Sequence, residues 1–335
     1  MIASPYLLYI GAADHPADIK TSRGLAQFRR ELCVGEYRHD SSPLTLNLPR
    51  MDFAAAKGAG VKTLILGIAW AGGAMTPQMV ANVVAALEAG LDVASGLHAR
   101  LRDQPQIADT AARLGRTLHD VRDPPANLPV GKGAPRSGKR LLTVGTDCSS
   151  GKMYTALALE AGMRAAGMAA DFRATGQTGI MVAGSGIPID AVVADFIAGA
   201  AEVLSPPRDD GGWDILEGQG SLFHPSFAGV SLGLLHGAQA DALVMCHDPV
   251  RKHLRGLPNY PLPSLKDCID LNVSLARLTN LDARMVGIAL ITAEMSEAEG
   301  RDLCARTADE TGLPCTDPVA FGTDPIIAEI ARCFG

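Results

Sequence analysis

"RLLTVGTDCSSGKMYTALALEAGMRAAG", Arg140 to Gly167, is an apolar strand that runs into a glycine-bearing turn and leaves through a lysine into a helix stopped by Gly167. That order is the physical basis of phosphate binding. Successive backbone N–H groups point inward, the helix dipole adds partial positive charge, and Lys152 supplies a full one. The strict pattern is G-x-x-x-x-G-K-[ST]. Here the spacing from Gly145 to Gly151 is one longer, and Met153 stands where a Ser or Thr would hold Mg²⁺. A thioether is soft and does not serve a hard cation. Thr155 lies two positions on, about 200° around the helix, and is a poor replacement. The stretch predicts a phosphate cradle that lacks the metal ligand of a phosphoryl-transfer enzyme.

Outward from the loop, further strands are predicted at "WDILEG", "ADALVMCH" and "RMVGIALIT". Helices are predicted at "IDAVVADFIAGAAEVL", "SLKDCIDLNVSLARL", "EAEGRDLCARTADETG" and "DPIIAEIARCF", with Asp190 as the cap of the first. Upstream, "YLLYIG", "VKTLILGI" and "LDVASG" read as strands and "QIADTAARLG" as a helix. "TPQMVANVVAALEAG" has Thr76 as N-cap, Pro77 at the first helical position and Gly90 at the stop. Buried parallel strands separated by helices define an α/β class. Between the halves, "VRDPPANLPVGKGAPRSGKR" has four prolines and a basic finish. It reads as a linker, with Lys132, Arg136, Lys139 and Arg140 as solvated charges. The expected domains are 1–123 and 141–335, joined by 124–140.

Composition narrows the function. Hydrophobic residues are 47% and charged ones 20%, a core-forming balance. Aromatics at 4% argue against stacking on a single nucleic-acid strand, and a net charge of −6 gives no electrostatic case for nucleic acid or anionic membrane. Seven cysteines include no C-x-x-C pair, so zinc knuckles and dithiol redox motifs are not indicated. The odd count and the brief apolar run before Gly11 fit a soluble, cytoplasmic protein.

The loop "GTDCSSGK" with the later "DILEGQGSLFHP", Asp214 to Pro225, resembles dethiobiotin synthetase and related P-loop amidoligases. Longer stretches point elsewhere. "GTDCSSGKM", "ATGQTGIMVAGSGIPIDAVVADFIAGAAE", "EGQGSLFHPS" and "TGLPCTDPVAFG" resemble the D-glutamate N-acetyltransferase family, once catalogued as a domain of unknown function. "LLYIG", "KTSRGLAQFRRELCVGEYR" and "GIAWAGG" extend the resemblance to the N-terminal half. It implies an N-terminal Rossmann-like domain and a C-terminal P-loop NTPase-like domain with a parallel sheet. It also implies acetyl transfer from acetyl-CoA to the amino group of D-glutamate, with no metal. One departure is "CSS" at 148–150, where relatives often carry Ala-Val before Gly-Lys. A homo-oligomer, dimer or higher, is expected of such an enzyme. The competing reading is an ATP/Mg²⁺-dependent ligase, which Met153 opposes.

For the phosphates of the coenzyme the expected contacts are Gly145, Ser149, Ser150, Gly151 and Lys152, with Met153 and Tyr154 through backbone N–H groups. The amine must lose a proton before it attacks, so a base is needed. Glu217 at a strand end, His224 in the following loop and Asp147 in the phosphate loop are the candidates, Asp147 having a capping role as its alternative. Arg173, Gln177 and Arg251 are expected to hold substrate carboxylates, within or near a glycine-rich functional loop, "RATGQTGIMVAGSGIPID". The alternative for Arg173 is an ordinary surface charge; Arg251, with Lys252, His253 and Arg255, reads either as a carboxylate or phosphate clamp or as a solvated basic loop. Cys148 is read as a small core cysteine before an acyl-carrying nucleophile. "GIAWAGG" is expected to face the amino-acid pocket.

Overall fold

The computed structural model describes residues 2–68 and 75–335; most of "GIAWAGG" lies outside the described residues. The chain packs as two compact units, Met1–Pro124 with Gly176–Pro188, and Pro125–Thr175 with Ile189–Gly335.

The first unit runs β1 (Tyr6–Gly11), α1 (Lys20–Phe28), β2 (Cys33–Arg38), α2 (Phe53–Gly58), β3 (Thr63–Leu66), α3 (Pro77–Glu88), β4 (Asp92–Ser95), α4 (Pro105–Leu114) and β5 (Leu118–Asp120). Its strands are all parallel in the order β2-β1-β3-β4-β5. This is a doubly wound order, with helices over both faces of the sheet. β1 and β3 are buried along their whole length, the burial their continuous apolar runs predict. Tyr9, Tyr37 and Phe53 stack in the core beneath α3, with ring centroids 5.5 and 4.4 Å apart. Thr76 caps α3 by accepting from the Met79 N–H at 3.2 Å.

The second unit carries β6 (Lys139–Gly145), α5 (Lys152–Ala165) and β7 (Ala170–Arg173). The chain then departs through α6 (Gln177–Ala183), which belongs to the first unit. There α6 packs on α1, Thr21 and Thr178 share a 2.7 Å hydrogen bond, and Ile2 N–H donates to the Gly184 carbonyl. At the neck of the excursion the Ile189 N–H donates to the Thr175 carbonyl at 3.0 Å. The second unit resumes with α7 (Ile197–Leu204), β8 (Trp213–Leu216), α8 (Ala228–Ala238), β9 (Ala242–His247), α9 (Leu265–Ala276), β10 (Arg284–Leu290), α10 (Glu297–Thr311), β11 (Cys315–Thr316) and α11 (Asp324–Phe334). Its parallel sheet has the order β11-β10-β9-β6-β8-β7. After β8 the chain crosses over β6 to build β9 on the other side. Ligands of open α/β sheets bind at such reversals, beyond the carboxyl ends of the strands. The reversal here lies at the loop that follows β6.

Three expectations change. The glycine-rich stretch read as a loop contains the helix α6. The single helix expected from Ile189 is two 3₁₀ turns followed by α7, because Val193 is extended at ψ 138°. The basic linker is also not solvated throughout. Arg140 is 3% exposed and donates to the Ser205 hydroxyl and to the carbonyls of Arg136, Ser137, Gly138 and Pro206. Arg136 donates to the carbonyls of Ser205 at 2.6 Å, Gly237 at 2.6 Å and Ala238 at 3.0 Å. It closes the C-terminal ends of α7 and α8, whose last carbonyls have no partner within their own helices.

Arg136→Ala is therefore expected to lower the unfolding free energy by about 2 kcal/mol, measured by urea denaturation.

Candidate functional site

The phosphate loop, residues 146–151, joins β6 to α5. Two of its residues lie in left-handed backbone, Ser149 at φ 51° and Gly151 at φ 90°. Gly151 suits that geometry because it has no Cβ. Opposite the loop, Gly218 follows the end of β8. Its N–H donates to the Thr143 hydroxyl at 3.0 Å, and a Cβ there would overlap the Thr143 carbonyl and reach 3.0 Å from Lys152 Cδ. The glycine after Glu217 is what lets the lysine lie flat against the strand end.

Lys152 begins α5 and is 7% exposed. Its ammonium donates to the Asp147 carbonyl at 2.8 Å and the Ser150 hydroxyl at 3.3 Å, and no carboxylate lies within ion-pair distance among the described residues. Burial pushes its pKa below the usual lysine value, while nearby groups including Asp147 and Glu217 oppose the shift. A buried ammonium supplied only with neutral acceptors is a receptor for an anion. Thr155 is buried in the first turn of α5, near the Cys246 thiol of β9.

Asp147 has no exposed surface. One carboxylate oxygen accepts from the Cys148 N–H at 2.7 Å. The other accepts from Arg251 Nη1 and from the Arg255 N–H, both at 2.7 Å. Arg251 also donates to the carbonyls of Cys148 at 2.5 Å and Ser149 at 3.3 Å, and pairs with Asp248 at 2.9 Å. The acid and the arginine expected to act on substrate are engaged with each other and with the loop backbone. Arg255 Nη1 rests on the Ser149 hydroxyl.

Glu217 sits at the end of β8, as expected. It is 5% exposed and accepts from the Thr175 N–H at 3.0 Å, while its own carbonyl accepts from the Thr175 hydroxyl. His224 is buried, with its ring against Phe227. Its Nδ1 takes the Ser226 N–H at 3.2 Å and its Nε2 faces the Arg255 carbonyl at 3.2 Å. Those two bonds assign the neutral tautomer protonated at Nε2. Both nitrogens are occupied.

Asp147, Cys148 and His224 bring potential metal-ligand atoms within 4.8 Å of one another. They fit a cation poorly, since the Asp147 oxygens and both His224 nitrogens are committed and Arg251 already supplies positive charge. Burial pushes the Cys148 thiol up, so it is held in its unreactive form. Arg173 donates to Asp214 at 2.9 Å, an ion pair between adjacent strands that Arg208 shares. Gln177 is in the first unit, packed at Gly96 after β4. Met153 and Tyr154 form the first turn of α5 and are half-buried.

Two further residues border the loop. Arg255 belongs to the basic segment that the sequence offers as a carboxylate or phosphate clamp. His247, which ends β9, was read as part of a strand. Its Nδ1 lies 3.1 Å from the Thr146 hydroxyl, and Nε2 has no protein partner among the described residues. Burial lowers its pKa below the usual histidine value, partly offset by Asp248. A histidine at the C-terminal end of a strand bordering a phosphate loop was the available signal.

Fold and site together define a P-loop α/β protein with an appended Rossmann-like unit. Residues 129–327 match "Domain of unknown function (DUF1611_C) P-loop domain" and residues 32–124 match "Domain of unknown function (DUF1611_N) Rossmann-like domain". The chain belongs to this DUF1611 family. A family member from Anabaena variabilis, solved by crystallography, superposes with a TM-score of 0.89 at 33% identity, covering 98% of this chain and 100% of its own. Two curated relatives are 46% identical. One, from Tritonibacter scottomollicae, aligns over 99% of both chains, and one from Pseudoalteromonas sp. covers 98% of this chain and 99% of its own. Each is named D-glutamate N-acetyltransferase. Among the described residues, no helix is long and apolar enough to cross a membrane.

Gly218→Ala should lower stability by about 3 kcal/mol and displace Lys152. Gly229→Ala, where a Cβ meets nothing within 4 Å, should be neutral or slightly stabilising. Thermal denaturation of the pair checks this.

Proposed function

We propose that the chain transfers the acetyl group of acetyl-CoA to the amino group of D-glutamate, giving N-acetyl-D-glutamate. Full-length relatives of that name support the reaction class. The observation that carries the choice of acyl donor is Lys152: a buried ammonium without a carboxylate partner, in a loop whose metal-binding hydroxyl is replaced by Met153. Such a loop holds phosphates as a handle. Acetyl-CoA carries a pyrophosphate that undergoes no reaction, and its thioester lies at the far end of the pantetheine arm.

Attack by the amine requires a proton acceptor, and the thiolate that departs is stable enough to need little acid assistance. Of the groups at the strand ends, His247 keeps a nitrogen without a protein partner. Its lowered pKa keeps it neutral at pH 7 and able to accept the proton. The substrate ammonium first gives a proton to His247, directly or through water; the freed nitrogen lone pair attacks the thioester carbonyl, and the tetrahedral intermediate expels the thiolate, which takes up the second amine proton to leave as the thiol. Glu217, with its carboxylate at the end of β8, is the second acceptor within the same strand-end region.

Free thiol should appear when the protein, acetyl-CoA and D-glutamate are mixed in EDTA. ATP turnover that requires Mg²⁺, with no thiol released, would overturn the proposal. Lys152→Ala should raise the KM for acetyl-CoA roughly tenfold or more and leave the KM for D-glutamate within about twofold. Because protonated histidine cannot act as the base, kcat/KM should fall on the acid side with a midpoint below the ordinary histidine value. His247→Gln should remove that limb. If the variant keeps the wild-type limb, the base is elsewhere.

A further inference from the structure

A phosphate loop containing a buried aspartate raises a problem of charge. Asp147 opposes the anion that Lys152 attracts, and Met153 removes the usual route to a compensating metal ion. Arg251 does not solve it, because its guanidinium is shared between Asp147 and Asp248. Lys152 and Arg251 are balanced by Asp147 and Asp248, and Glu217 near Lys152 adds a further negative charge. The cation that answers it at the loop is Arg255. It is exposed, has no carboxylate within ion-pair distance among the described residues, and places Nη1 on the hydroxyl of Ser149 in the phosphate loop.

The placement of Arg255 is not left to a flexible side chain alone. Its N–H is held by the Asp147 carboxylate at 2.7 Å and its carbonyl by His224 Nε2 at 3.2 Å. The preceding Leu254 is buried, and its N–H donates to the Tyr260 carbonyl. Two side chains that look catalytic in the sequence therefore grip the two polar atoms of one arginine's main chain. That arrangement wastes both as proton carriers and makes sense if the guanidinium must be in a fixed place.

We infer that Arg255 is the cation that neutralises the coenzyme's pyrophosphate on this loop in place of a metal ion, and that Asp147 and His224 are positioning residues that hold it there. The inference rests on the acetyl-CoA reading above. A planar guanidinium donates two parallel hydrogen bonds to phosphate oxygens, so it supplies both charge and orientation. No step of the transfer passes through it.

The test is calorimetric titration, in EDTA, of CoA and of dephospho-CoA, which keeps the pyrophosphate and lacks the 3′-phosphate. The wild-type protein should bind both. Arg255→Ala should weaken both at least tenfold without changing the melting temperature, and Arg255→Lys should recover part of the loss. His224→Ala should also weaken both, but in the Arg255→Ala background it should add nothing further. An Arg255→Ala protein that binds CoA within twofold of wild type overturns the inference. So does a loss confined to CoA, which would move Arg255 to the 3′-phosphate, or an additive effect of His224→Ala, which would end its positioning role. If the wild-type protein binds neither compound, the acetyl-CoA reading itself falls, and the inference with it.

Discussion

The carboxylate of Asp147 is the joint on which the candidate site depends. A negative charge with no solvent exposure is costly unless every lone pair finds a donor. Here three donors meet it: a loop N–H, a guanidinium and an N–H from the segment after β9. The first belongs to the phosphate loop and the other two to the 248–255 segment. The phosphate loop and the 248–255 segment are held in register by one side chain. Remove the acid and Arg251 loses its counter-ion at the loop, while Arg255 loses the anchor on its main chain.

The site built around that joint differs in kind from a nucleotide-hydrolysing one. In a phosphoryl-transfer enzyme the loop, the metal and the reacting phosphorus coincide. Here a thioether, Met153, stands where the metal ligand belongs. The positive charge comes from Lys152 at the start of α5 and from Arg251 and Arg255 on the segment after β9. A loop of this composition suits the proposed coenzyme, whose phosphates do not react.

The sequence disclosed what depends on neighbours along the chain. The strand–loop–helix at Lys152, the cap at Thr76 and the long apolar strands are local patterns, and they stand where they were expected. What it hid depends on partners far away. β2 and β7 carry charges that look wrong for strands until their partners are known: Glu36 is buried because Arg38, Thr45 and the Leu46 N–H surround it. Arg136 and Arg140 look like linker charges because partners they need, the carbonyls at the ends of α7 and α8 for Arg136 and the Ser205 hydroxyl for Arg140, arrive from some distance along the chain. In the site, the residue types were legible and their employment was not. Asp147, His224 and Arg251 were read as actors on substrate, whereas their hydrogen bonds commit them to the loop and to Arg255.

The excursion through α6 carries a consequence for the order of events during synthesis. The first unit, although it is encoded mostly by the amino-terminal third of the chain, includes residues that emerge from the ribosome only after β6, α5 and β7. Until then α1 lacks the partner that Thr178 and its neighbours provide, and the chain end at Ile2 lacks the carbonyl of Gly184. The amino-terminal unit therefore cannot finish before the carboxy-terminal one has begun. The two mature as an interleaved pair, not as beads made one after the other.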